Sequence, residues 1–280
     1  MSDPYSFRTD RAFRKVPGMA SDLIHVDDNG VLTLTLSTAA AGTSLDHGLV
    51  LEARDTLRAV VRGAIDADAV LLRGDGKNFC AGGNVAKFGS ADDRSDYLRG
   101  LADDLHSAIG FLYETQLPVV AAVKGWAAGA GMSLVLHADV AIGGPATKMR
   151  PAYPGIGLSP DGGMSWQLPR VVGAARARYI IMTDQILDAD QALSMGILSE
   201  IVDDDAVEQS AYDLAAQLAA GPRGSHRAIR TLVHESATRS LTDHLAAEAA
   251  TIAGLSVTAE GVEGVDAFLA KRKADYRGVR

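Results

Sequence analysis

Three glycine-rich segments hold most of what this chain offers for chemistry, and two of them would act through backbone rather than side chains. Gly74-Asp75-Gly76-Lys77-Asn78-Phe79-Cys80-Ala81-Gly82-Gly83-Asn84-Val85 follows an apolar run directly. Pro118 to Gly131 reads as a strand, a turn and a helix starting near Ala130. The first turn of a helix carries amides without intrahelical partners, at the positive end of the helix dipole. Two such amides converging on one carbonyl oxygen form an oxyanion hole, where one donor is worth about 3 kcal/mol to a transition state. Small residues are needed there because the ligand must touch the backbone. Each segment alone fits tight helix–strand packing better. The third segment, Gly155 to Gly163, contains one acid, Asp161, within Pro160-Asp161-Gly162-Gly163. That is also an ordinary turn sequence, in which Asp makes an Asx-turn.

Side-chain motifs fail one by one. A phosphate-binding loop needs GxxxxGK followed by Ser or Thr, and Gly74-Asp75-Gly76-Lys77-Asn78 has neither the spacing nor the last residue. A dinucleotide fingerprint needs a third glycine that is missing after Gly129-Ala130-Gly131, while Gly155-Ile156-Gly157 runs into Pro160. The nucleophile elbow GxSxG is nearly met by Gly131-Met132-Ser133-Leu134-Val135 but ends on valine. No histidine and acid complete a triad by sequence, so Ser133 reads as a small helix residue that allows close packing. The seven histidines are scattered, and no HxxxH or CxxC spacing suggests a metal site. The single cysteine, Cys80, excludes an intramolecular disulfide and fits a reducing compartment.

These loops need strands and helices to present them. Val31 to Leu36 alternates cleanly and predicts a half-buried strand. Ala69 to Arg73 and Val119 to Val123 are continuous apolar runs, as expected of strands buried on both faces. Ala138 to Ile142 is a weaker fourth run. Helical periodicity covers 48–65, 95–115 and much of the chain after 174. Strands followed by helices suggest α/β crossovers up to about residue 170. Beyond it the sequence reads as helical only, over 206–220, 226–236, 241–253 and 259–271.

Composition narrows the class. The chain has 280 residues, 47% hydrophobic and 22% charged, which are globular values and exclude a disordered polymer. No apolar run is long enough for a membrane span. Net charge is −8, and the only basic cluster is Lys271-Arg272-Lys273, so nucleic acid is not an expected partner. The N-terminus lacks the apolar region of a secretory signal and reads as a polar leader on a cytoplasmic protein. Of the 29 glycines, 13 fall in 74–83, 125–131 and 143–163, so the excess is local to the candidate site.

Together the segments resemble the crotonase (enoyl-CoA hydratase/isomerase) superfamily. Gly76 to Val85 resembles its GxxFCAGADL block, and Pro118 to Gly131 its KPVIAAVNGxAxGGG block. Pro160-Asp161-Gly162-Gly163 and Leu168-Pro169-Arg170-Val171-Val172-Gly173 resemble the block after it. Glu263 to Arg272 resembles the C-terminal "EG..AF..KR" stretch. The similarity spans roughly residues 22–275 and is poor over Thr38–Ser44, where the family usually shows NRP…NAL.

The resemblance implies an α/β fold: a spiral of ββα turns over 22–205, after a polar leader (1–21) and before a helical trimerisation region (206–280). It implies acyl-CoA thioester substrates, with coenzyme A carried by the substrate and no separate cofactor. The oxyanion-hole amides would be those of Gly83 and Ala130. Ala81, Gly83, Asn84, Val85, Ala86 and Ala130 would line the CoA and thioester, with Phe268 and Lys271 contributing from the C-terminus. The implied assembly is a homotrimer or a dimer of trimers.

Chemistry in this superfamily is set by side chains around the shared hole. Hydratases of the family resemble one another in two glutamates; here those positions are Ser133 and Ala152, so water addition by that pair has no support. Asp161 remains, at a position resembling the single aspartate of ring-epoxide and double-bond isomerases of phenylacetate breakdown. It also matches the nucleophile of 4-chlorobenzoyl-CoA dehalogenase. The expected reaction is therefore a double-bond shift through an oxyanion-stabilised enolate, with Asp161 carrying the proton. An apolar wall from Met149, Tyr153, Ile156, Leu158 and Trp166 would make that aspartate a better base. Phe88, Tyr97, Leu98, Leu101, Phe111 and Leu112 would form the acyl pocket. Open alternatives are hydration by another acid, dehalogenation or thioester hydrolysis through an aspartyl nucleophile, and a catalytically silent CoA-thioester-binding homologue.

Overall fold

A computed structural model describes residues 13–14 and 22–280. Most of the segment read as a polar leader, 1–21, lies outside the described residues. The strands are β1 (Phe13–Arg14), β2 (Ile24–Asp27), β3 (Val31–Thr38), β4 (Ala69–Asp75), β5 (Val119–Val123), β6 (Trp126–Ala128), β7 (Val140–Gly143), β8 (Lys148–Arg150), β9 (Leu187–Asp188) and β10 (Glu200–Ile201). The helices are α1 (His47–Val61), α2 (Val85–Gly89), α3 (Arg94–Glu114), α4 (Ala130–Val135), α5 (Met164–Val172), α6 (Ala174–Met182), α7 (Ala189–Ser194), α8 (Val207–Ala220), α9 (Arg223–Glu235), α10 (Leu241–Ser256) and α11 (Ala259–Leu269). A 3-10 turn spans Pro154–Ile156.

The large sheet runs β1-β2-β3-β4-β5-β7-β10, antiparallel at its β1–β3 edge and parallel from β3 onward. A second sheet runs β6-β8-β9. The chain alternates between them. It passes from β5 in the large sheet to β6 in the small one and then into α4, and likewise from β7 to β8 and on to α5. This is the ββα spiral that the resemblance implies.

Alternation along the central strands feeds two cores. Val70, Leu72, Val119 and Ala121 face one, shared with α1, α3 and α5. Ala69, Leu71, Val120 and Ala122 face the other, under Val207, Ala211 and Ala215 of α8. Burial on both faces explains the continuous apolar runs. It also corrects the reading of β3, which is buried from Val31 to Ser37 rather than half-buried. Val31, on the face that was expected in water, packs with α8. The C-terminal part is not helical only, because β9 and β10 close the two sheets. At two residues each they are too short to leave a periodicity. Helices α9 and α10 bury no residue at all in this chain.

Candidate active site

Two loops meet at the site. The loop after β4 is clipped to β6 by Cys80 N–H donating to Trp126 O at 3.0 Å and Ala128 N–H donating to Cys80 O at 2.9 Å. This lays the Gly82–Gly83 stretch beside the start of α4. The approach is close enough that a side-chain carbon on Gly131 would sit 2.3 Å from Cys80 O. Gly129, which precedes α4, has φ +53° and ψ −125°, a conformation that other residues rarely adopt. Among the described residues, neither the Gly83 nor the Ala130 amide donates to a protein acceptor. Cys80 itself is fully buried, and burial pushes its thiol up to about 12.

Asp161 stands opposite, before α5. Its Oδ1 accepts the Tyr153 hydroxyl at 2.6 Å. No partner for Oδ2 occurs among the described residues. Burial, then the charge of Asp161, hold the Tyr153 phenol far above its ordinary value, so it stays a proton donor. Ser133 Oγ donates to the Asp161 carbonyl at 3.0 Å and lies 3.2 Å from the Tyr153 hydroxyl. Gly162 (φ +58°) and Gly163 (φ +77°) make a tight turn. A side-chain carbon on Gly162 would meet Ser133 Cβ at 2.9 Å, and one on Gly163 would meet His137 Nε2 at 2.8 Å. Only glycine lets Asp161 settle onto α4 this way.

Two imidazoles reach the same turn. The Gly162 N–H donates to His106 Nε2 at 3.0 Å. His137 Nε2 donates to the Gly162 carbonyl at 2.8 Å, and His137 Nδ1 accepts from the Tyr113 hydroxyl at 3.0 Å. His137 is buried, and burial lowers its pKa, which keeps it neutral in this arrangement.

A cavity of about 670 Å³ connects the parts. Ala81, Gly83, Asn84, Val85 and Ala130 line it, and so does Asp161. Phe88, Tyr97, Leu98 and Leu101 of α2 and α3, four of the six residues named for an acyl pocket, line it as well. Phe111 and Leu112 do not reach it, and Leu112 is a core residue. The expected wall around Asp161 is met by Tyr153, Ile156 and Leu158 but not by Met149 or Trp166. Met149 is in the core, and Trp166 stacks against Arg170 at 3.6 Å. Ala86, Phe268 and Lys271 also lie outside the cavity lining; Phe268 is 82% exposed at the end of α11.

The second carboxylate in the lining, Asp184, is engaged: Arg150 Nε donates to Oδ2 at 3.0 Å and the Ala152 N–H to Oδ1 at 2.7 Å. Sequence reading missed the Tyr153, His106 and His137 contacts. Tyr153 reads as an apolar wall, whereas its hydroxyl is the partner of Asp161. The histidines lie 56 and 25 residues from Gly162, and no local spacing connects them.

The family model for enoyl-CoA hydratase/isomerase matches residues 27–279. The chain is 34% identical over 266 residues to 1,2-epoxyphenylacetyl-CoA isomerase of Escherichia coli, covering 91% of this chain and 98% of the relative. It is 29% identical over 221 residues to 4-chlorobenzoyl coenzyme A dehalogenase-1 of an Arthrobacter species, covering 78% of each. Among solved structures, an enoyl-CoA hydratase from Polaromonas sp. JS666 superposes with a TM-score of 0.81 at 29% identity, covering 88% of this chain and 95% of that one. These names span three chemistries on one crotonase fold. The chain belongs to the enoyl-CoA hydratase/isomerase family.

Proposed function

We propose that the protein shifts a double bond in an enoyl-CoA, with Asp161 as the single acid/base. The observation that carries this is a cavity with one uncommitted carboxylate. Among the described residues Asp161 Oδ2 has no hydrogen-bond partner, whereas Asp184 is neutralised by Arg150. The thioester oxygen would lie on the Gly83 and Ala130 amides, which stabilise the enolate as a C–H proton leaves. Asp161 takes that proton and returns it at another carbon, so one base suffices. Ser133 and Ala152, at the two-glutamate positions, have no carboxylate to activate water.

Replacing Asp161 with Asn should lower solvent-deuterium exchange into a bound enoyl-CoA by about 10²–10⁴-fold, the usual worth of a general base. CoA-thioester binding should change little. Retained exchange would defeat the assignment.

The nucleophilic alternative fits the geometry less well. Hydrolysis of an acyl-aspartate needs a base for the attacking water, yet His106 Nε2 is occupied by the Gly162 amide and both nitrogens of His137 are bonded. A trapped acyl-Asp161 in single-turnover mass spectrometry would favour it instead.

The same reading extends to assembly, as a homotrimer or dimer of trimers built on the C-terminal helices. Ile229, Val233, Leu245 and Ile252 are exposed on α9 and α10, helices with no fully buried residue in their own chain. Phe268 and Lys271 would then meet CoA bound to a neighbouring subunit.

A further inference from the structure

The peptide plane that follows Asp161 is pinned at both ends. Its carbonyl, that of Asp161, accepts from Ser133 Oγ at 3.0 Å and from the Met164 N–H at 3.2 Å, and its N–H, that of Gly162, donates to His106 Nε2 at 3.0 Å. The carbonyl end has two donors, whereas His106 is the one acceptor of the N–H among the described residues, and the next two residues are glycines with no side chain to resist a turn of the plane once that acceptor is lost. Ser133 is buried in α4. His106 comes from α3, where Leu101, Ala102 and Leu105 form part of the cavity wall. The element that walls the acyl pocket therefore also carries a pin for the base.

We infer that His106 is a positioning residue: by accepting the Gly162 N–H it fixes the peptide plane and, through it, the direction in which Asp161 presents Oδ2. His106 does not line the cavity and takes no proton from substrate. The role requires an acceptor at Nε2, and neither charge nor bulk. The inference rests on Asp161 being the base.

The test uses the full-length protein and three substitutions. His106→Phe and His106→Lys remove the acceptor. His106→Gln returns one through its amide oxygen. With the enoyl-CoA that the wild type turns over best, kcat and deuterium exchange should fall together in the Phe and Lys variants. The expected loss is up to about 10²-fold, as for a reacting group displaced by about an ångström. KM should stay within about threefold, and the Gln variant should recover most of the rate. A melting temperature for each variant identifies a misfolded one, and Lys on an exposed helix position serves if Phe is not tolerated.

Wild-type kcat in the Phe and Lys variants would overturn the inference. So would equal loss in Gln and Phe, or a change confined to KM. Asp161→Asn, run in parallel, separates the two readings. If that variant still exchanges deuterium, the base assignment fails and takes this role with it. If it is inactive while the His106 variants are normal, only the positioning role fails.

Discussion

At the scale of single residues, the site depends on which hydrogen bonds a carboxylate keeps and which it leaves open. Tyr153 satisfies Asp161 Oδ1 at 2.6 Å with a charge-assisted bond, so the carboxylate is held by one oxygen, and the proposed reaction would use the other. Hydrogen bonds to charged groups contribute about 1.5–3 kcal/mol. Tyr153→Phe should therefore lower kcat about 10- to 100-fold with little change in KM, as read by steady-state kinetics. An unaltered kcat would mean that the hydroxyl does not orient the base. Asp161 could be singled out from its turn sequence and family pattern, but its partner could not. A tyrosine eight residues earlier has the same letter whether its ring lines an apolar wall or its hydroxyl grips an acid. Only the fold of the Tyr153–Asp161 loop decides which.

At the scale of elements, backbone approach sets the geometry. The α4 start and the loop after β4 touch through Gly131 and Cys80, with no room for a methyl group. Gly131→Ala should therefore lower stability by about 1–3 kcal/mol, as overpacking does, and be seen as a drop in melting temperature. Gly83→Ala is the control. A side-chain carbon there meets nothing within 4 Å, so the melting temperature should hold. If the two substitutions behave alike, contact at Gly131 is not what seats α4. The glycine clustering was legible in the sequence because small residues are the visible trace of close approach. The strands β6, β8 and β9, which hold these loops apart and in register, were not, since two or three residues carry no period.

At the scale of the whole molecule, buried groups tie stability to pH, and exposed apolar ones underlie the proposed assembly. Burial lowers the pKa of His137 in the folded chain below its ordinary value of 6.5. As pH falls through that ordinary value, the unfolded chain takes up a proton that the folded chain refuses. Stability is thus complete above about 6.5 and declines below it. Melting temperature should fall between pH 7 and 5, and His137→Gln, which cannot titrate, should flatten that slope. Equal slopes would show that His137 is not responsible. For assembly, Leu245→Asp together with Ile252→Asp should shift the molar mass in light scattering from trimer or hexamer toward monomer. A wild-type monomer would remove the case for the C-terminal helices as an interface.

By itself the sequence determined the fold class and the family, and it singled out the glycine-rich loops and Asp161 as the candidate site, because each leaves a local trace: alternation, an apolar run, clustered glycine, or a motif of fixed spacing. Only the tertiary structure decided that β3 is buried on both faces, that Asp184 is neutralised by Arg150, and that Tyr153, Ser133 and His106 converge on the Asp161–Gly162 peptide. Those facts depend on which distant segments meet. Contact across tens of residues is set by packing of the two sheets and their helices, and leaves no period or spacing in the chain to be read.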